Sequence, residues 1–149
     1  MTTKVVYKEY KHYLYHMIKD FTTYQQALKL KALGFDEPCF GRWWFNAGIH
    51  KLNEEELEII KSYYFGLPEY YILAPTFSQA FRWFREKYGL QHDITLSVDN
   101  NNQLVGFYIV IHKLDPLWNE DQSIDFEVYT TDRDEAELAC LDKLITLIK

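Results

Sequence analysis

Basic residues are scarce in this chain of 149 residues: 16 Lys and Arg stand against 22 Asp and Glu, a formal net charge of −6. Non-specific nucleic-acid affinity comes mainly from Lys and Arg displacing phosphate counterions, so nucleic-acid binding is not expected. An anionic membrane surface is disfavoured for the same reason. Cysteine is nearly absent. Cys39 and Cys140 cannot build a disulfide framework, and a reduced, cytoplasmic setting is the default. No run approaches the roughly 18 apolar residues of a membrane span. The opening MTTKVVYKEYKHYLYHMIKD has polar residues throughout and no apolar h-region, so no signal peptide is expected. Six Gly and four Pro leave no linker, and there is no repeat. G-x-x-x-x-G-K-S/T, G-x-G-x-x-G and G-x-S-x-G are all missing; phosphate loops and hydrolase elbows are therefore absent in recognisable form, and no cofactor is assigned.

Aromatic residues are abundant, with 12 Tyr, 10 Phe and 4 Trp. Local signals place most elements. Thr22 and Gln25 have capping-box spacing, and Tyr24, Ala27, Leu30 and Leu33 recur as a helical stripe. Gly34 suits the left-handed residue that stops a helix, with Phe35 returning onto Leu30. Pro38 then imposes an extended path. From Cys39 the alternation predicts a strand, with Cys39, Gly41, Trp43 and Phe45 on one face and Phe40, Arg42 and Trp44 on the other. Asn46-Ala47-Gly48 reads as a turn and Ile49–Leu52 as a short return strand. Asn53 before three glutamates predicts a short capped helix ending before Gly66.

Pro75 opens the best-defined helix, with Phe77, Ala80, Phe81, Phe84 and Tyr88 as its stripe and Gly89 as its end. Ile94–Val98, Leu104–Ile111 and Ile124–Val128 read as strands. The first two are joined by an Asp99–Asn102 turn, and Leu114–Ser123 is a loop. Asp132 with Glu135 caps the final helix, over Arg133–Ile148. Residues 4–20 fit either a helix or a strand, and Tyr63–Tyr71 has no clear period. The expected fold is α+β, a single domain over 1–149, with an antiparallel sheet of three or more strands and helices on one face.

Three blocks, TTYQQALKLKALGFDEPC (22–39), APTFSQAFRWFREKYGL (74–90) and EAELACLDKLI (135–145), resemble a family of small proteins encoded in phages, prophages and other mobile elements of gut Bacteroidales bacteria. Similar proteins begin near MIKDF, so residues 1–16 read as an N-terminal extension. The resemblance implies a bacterial or phage cytosolic setting and brings no activity, cofactor or catalytic residue with it.

Each reactive pattern has a plainer explanation. Cys39 with His50 has the makings of a cysteine nucleophile and its base, yet Cys39 shares an apolar strand face with Trp43 and Phe45, where a buried free thiol is ordinary. Cys140 lies on the flank of the last helix stripe. Asp36 and Glu37 are adjacent in an extended chain and point apart. His12 and His16 have i, i+4 spacing but no third metal ligand, and His50, His92 and His112 form no motif. No catalytic or metal residue is assigned.

Aromatics beside Arg are common in protein interfaces. Trp83 lies off the Phe77 stripe, about 200° from Phe81, beside Arg82 and a small basic cluster with Arg85 and Lys87. Trp44 shares its face with Arg42. Trp83, Arg82, Trp44 and Arg42 are therefore the expected partner contacts. The favoured reading is a small non-enzymatic phage or mobile-element protein that binds a host or phage protein or self-associates. The alternatives are a sequestering protein holding a nucleotide or other small ligand between helices and sheet, and an enzyme without a recognisable motif.

Overall fold

A computed structural model describes residues 19–46, 54–64, 71–113 and 123–148. The fold is α+β. It divides into two compact units, Met1–Thr76 and Phe77–Lys149, each with its own three-stranded antiparallel sheet. The segments 1–18, 47–53, 65–70 and 114–122 and residue 149 lie outside the described residues, and with them the Ala47-Gly48 part of the expected turn, the Ile49–Leu52 strand and most of the ambiguous N-terminus.

In the first unit, helix α1 (Tyr24–Ala32) is capped by Thr23 and Gln26, each side chain accepting from the other's amide at 3.2 Å. The expected pair, Thr22 and Gln25, is one residue early. TTYQQ holds two overlapping boxes, and tertiary bonding selects between them. The Thr22 amide donates to the Pro75 carbonyl at 2.9 Å, and the Thr22 carbonyl accepts from Trp43 Nε1 at 2.9 Å. The helix stops as anticipated: Gly34 has φ 88°, Phe35 N–H donates to the Leu30 carbonyl at 2.9 Å, and Gly34 N–H donates to Lys31 at 3.0 Å. Those two bonds satisfy carbonyls that the helix end would otherwise orphan.

Strand β1 (Cys39–Asn46) is central, flanked by β2 (Glu54–Tyr64) and β3 (Tyr71–Ala74) in the order β2-β1-β3. β2 corrects the helix expected after Asn53. Leu57 and Ile59 are register partners of Trp43 and Gly41, while Glu56 and Glu58 pair with Trp44 and Arg42. This segment has a period of two, and a four-residue cap signal does not outweigh pairing along a whole strand. On the face carrying Cys39 and Gly41 the core is closed by Phe21, Ile72 and Ala74, all buried. A Cβ on Gly41 would lie 2.6 Å from the Phe21 ring and 2.7 Å from the Ala74 carbonyl oxygen, so only glycine lets Phe21 lie on the strand.

In the second unit, helix α2 (Phe77–Tyr88) leads through Gly89, at φ 66°, into β4 (Leu90–Val98). β5 (Leu104–Lys113), β6 (Ile124–Val128) and helix α3 (Arg133–Leu147) follow. The sheet order is β4-β5-β6. Phe107, Ile109 and Ile111 of central β5 are buried, whereas Thr95, Tyr108, Asp125 and Glu127 on the opposite face are exposed. Here the helices do cover one face. Asp99 Oδ1 accepts from the amides of Asn101 and Gln103 and closes the β4–β5 turn. At α3 Asp132 is the N-cap, as expected, but Glu135 takes no part in the cap. Asp132 accepts from the Asp134 amide at 2.9 Å, and the Glu135 carboxylate is taken by the Thr130 hydroxyl.

Trp83 requires a correction. It is 4% exposed, as buried as Phe77 and Phe81, with its ring edge-on to Phe84 and Tyr88 at 5.1 and 5.3 Å. The buried arc of α2 runs from Trp83 through Ala80 and Phe84 to Phe81, about 160° of the circumference. A single neighbour needs a narrower stripe, but α2 touches both β4 and α3. Trp83→Ala is therefore expected to cost about 3–5 kcal/mol, the range for emptying a buried aromatic site. Denaturant melts check this; a loss below about 1 kcal/mol would return Trp83 to the ordinary surface class.

Candidate functional site

The four expected partner contacts fall into different settings. Arg42 and Trp44 lie on β1, Arg82 and Trp83 on α2. Arg42 is half-buried on the face of the first sheet opposite Cys39, its guanidinium 4.1 Å from the Tyr71 ring centroid, a cation–π stack. Trp44 is opposite Tyr71 and Glu56 in register; its side chain lies outside the described residues. Arg82 is exposed and 4.0 Å from Glu86 one turn on. A surface pair of this kind contributes little to stability. Trp83 belongs to the core, with the Lys87 ammonium 4.8 Å from its ring centroid.

The titratable groups are arranged for packing. Cys39 and Cys140 are fully buried. Burial pushes the Cys39 thiol up to about 11 and the Cys140 thiol up to about 12, the opposite of what a thiolate nucleophile needs. Cys39 Sγ donates to the Gly41 carbonyl at 3.5 Å. Cys140 lies within the buried set of Ala136, Leu141 and Leu144, not on its flank. His92 stacks on Phe81 with centroids 3.9 Å apart, and burial lowers its pKa below the ordinary histidine value. His112 Nε2 lies 3.4 Å from Asp93 Oδ2 on the exposed face. Among the described residues no group of three or more His, Cys, Asp or Glu could hold a metal ion. His12, His16 and His50 lie outside them.

Two further features were not singled out from sequence. The first is an apolar end to the β4–β5 hairpin. Leu96 is 65% and Val98 51% exposed, and Leu104 and Val105 are exposed beside them. Leu96 is the register partner of buried Phe107, which puts it on the inward face of the sheet. It is uncovered at the hairpin end of the sheet, where Leu104 and Val105 of central β5 are exposed as well, whereas Leu90 at the other end of β4 is buried. The second is a cavity of about 290 Å³ lined by Leu90, Ile111 and Ile124 of the sheet, Tyr88, the end of α3 at Leu147 and Ile148, and Lys113. Lys113 continues the inward row of Phe107, Ile109 and Ile111, opposite Leu90, where the alternation calls for an apolar side chain. A lysine at that position was the available signal.

No protein-family model, curated protein or solved structure matches this chain. The candidate surfaces are therefore argued from their own chemistry. No helix among the described residues is long and apolar enough to cross a membrane.

The thiol environment makes a direct prediction. Near neutral pH both cysteines should resist a maleimide or disulfide reagent in the native chain and react fully once it is denatured. Rapid native labelling of Cys39 would contradict the structural role given to it.

Proposed function

We propose that this chain is a small non-enzymatic interaction protein of a phage, prophage or mobile element of gut Bacteroidales bacteria, working in the bacterial cytoplasm and assembling with a second copy of itself through the edge of β4. The origin rests on the three sequence blocks alone. The mode of action rests on one observation: Leu96 and Val98 are exposed on a nine-residue strand that has no neighbour on its outer side among the described residues.

An edge strand offers a row of unpaired amides and carbonyls. Proteins that keep such an edge monomeric usually place Lys, Pro or an inward charge along it. LQHDITLSV has one charge, Asp93, and no Lys or Pro. A two-fold antiparallel pairing about Ile94 sets Leu96 against His92 and Val98 against Leu90 of the second copy, and Asp93 against Thr95, so no like charges meet. The same contact surface serves both copies, as two-fold symmetry requires. The Arg42–Tyr71 face of the first sheet is a second contact point in this reading, and Arg82 is an exposed charge available to a rim. Trp83 has no part in it.

Sedimentation over a broad concentration range tests the proposal. The native chain should pass from monomer to dimer, and Leu96→Glu with Val98→Glu should stay monomeric. Because both positions are exposed, the double variant should melt within about 1 kcal/mol of the native chain. A native chain that is monomeric at every concentration would refute self-association.

A further inference from the structure

We propose that the cavity in the second unit is a binding site for a small apolar monocarboxylic acid, a medium-chain aliphatic or aryl acid, whose carboxylate pairs with Lys113. This inference does not rest on self-association: the cavity lies on the helix-covered face of the sheet, whereas pairing uses the outer backbone edge of β4, the strand to which Leu90 of the lining belongs.

The walls set the ligand's body. Leu90, Ile111, Ile124, Leu147 and Ile148 are aliphatic, and Tyr88 adds an aromatic surface. Sites for small molecules are of this kind, mostly apolar and concave with a few polar groups that fix orientation. A space of about 290 Å³ is at the lower end of such sites, so the body is small.

The single cation sets the head group. Lys113 is the one charged residue in the lining, and no carboxylate among the described residues bridges it. An ammonium at the rim of an apolar pocket favours an anion with its charge at one end. A carboxylate fits one ammonium. A nucleotide, one of the ligand classes considered from sequence, would need several cations or a row of backbone amides for its phosphates, and neither is present in this lining.

The placement of Lys113 also argues for a site. The inward positions of β5 run Phe107, Ile109, Ile111, Lys113. The first three are buried and the fourth is exposed. An aliphatic residue at 113 would extend the core as its three predecessors do. Lysine lets its stem lie along the apolar wall while its charged head stays at the mouth.

The test is calorimetric titration of the full chain with octanoate, phenylacetate and, as an uncharged control, octanamide. Octanoate or phenylacetate should bind, and the preferred acid should bind at least tenfold more tightly than octanamide. Lys113→Met should remove that preference and Lys113→Arg should keep it. Ile124→Trp, which fills the cavity, should abolish binding while the chain remains folded by circular dichroism. No saturable binding of either acid, equal affinity for acid and amide, or unchanged affinity in Lys113→Met would each overturn the proposal.

Discussion

The second unit depends on the alternation of β5. With Phe107, Ile109 and Ile111 turned to the helices and Tyr108, Val110 and His112 turned away, a slip of one residue would exchange the two sets and put a histidine and a tyrosine in the core. The register is therefore strongly specified. It determines which residues α2 and α3 cover, and it carries Lys113 onto the inward row beside the cavity. Gly106 belongs to the same constraint, because a Cβ there would collide with the Val128 carbonyl and push β6 away from its partner.

The first unit is held by a comparable constraint at the other central strand. Gly41 leaves room for Phe21 to lie against β1, and Trp43 both presents its indole N–H to the Thr22 carbonyl and stands edge-on to Tyr24 at 6.2 Å. The start of α1 is thus tied to β1 and, through the Thr22–Pro75 bond, to the chain that follows β3. A buried N–H left without its acceptor costs more than a typical hydrogen bond contributes. This explains why Thr22 serves the sheet and the cap moves to Thr23. The stretch GFDEPCFGRWWF is therefore a helix stop that runs into a central strand, with its cysteine in the core.

What was legible in the sequence was what local chemistry decides. The Gly34 stop, the Cys39 strand start, the extent of α2, the Asp99 turn and the apolar run of β5 all depend on neighbours within a few residues. β2 was misread because its stability comes from pairing with β1, to which the local signal of Asn53 and three glutamates is blind. Trp83 was misplaced because one stripe was assumed where α2 has two packing partners. The exposure of Leu96 and Val98 was not legible, because how far along a strand the helices reach is not written in a period of two. The partner contacts shared this weakness. Arg42 could be placed by alternation, whereas the exposure of Trp83 was inferred from the absence of a stripe.

Amide hydrogen exchange reads the proposed working surface, the outer edge of β4, directly. At low concentration alternate amides of Leu90–Val98, those pointing away from β5, should exchange quickly while the intervening ones are protected by the β4–β5 ladder. At high concentration the outward set should gain protection and the inward set should change little. Exchange along β4 that is the same at both concentrations, or outward amides already protected in the dilute chain, would contradict the account.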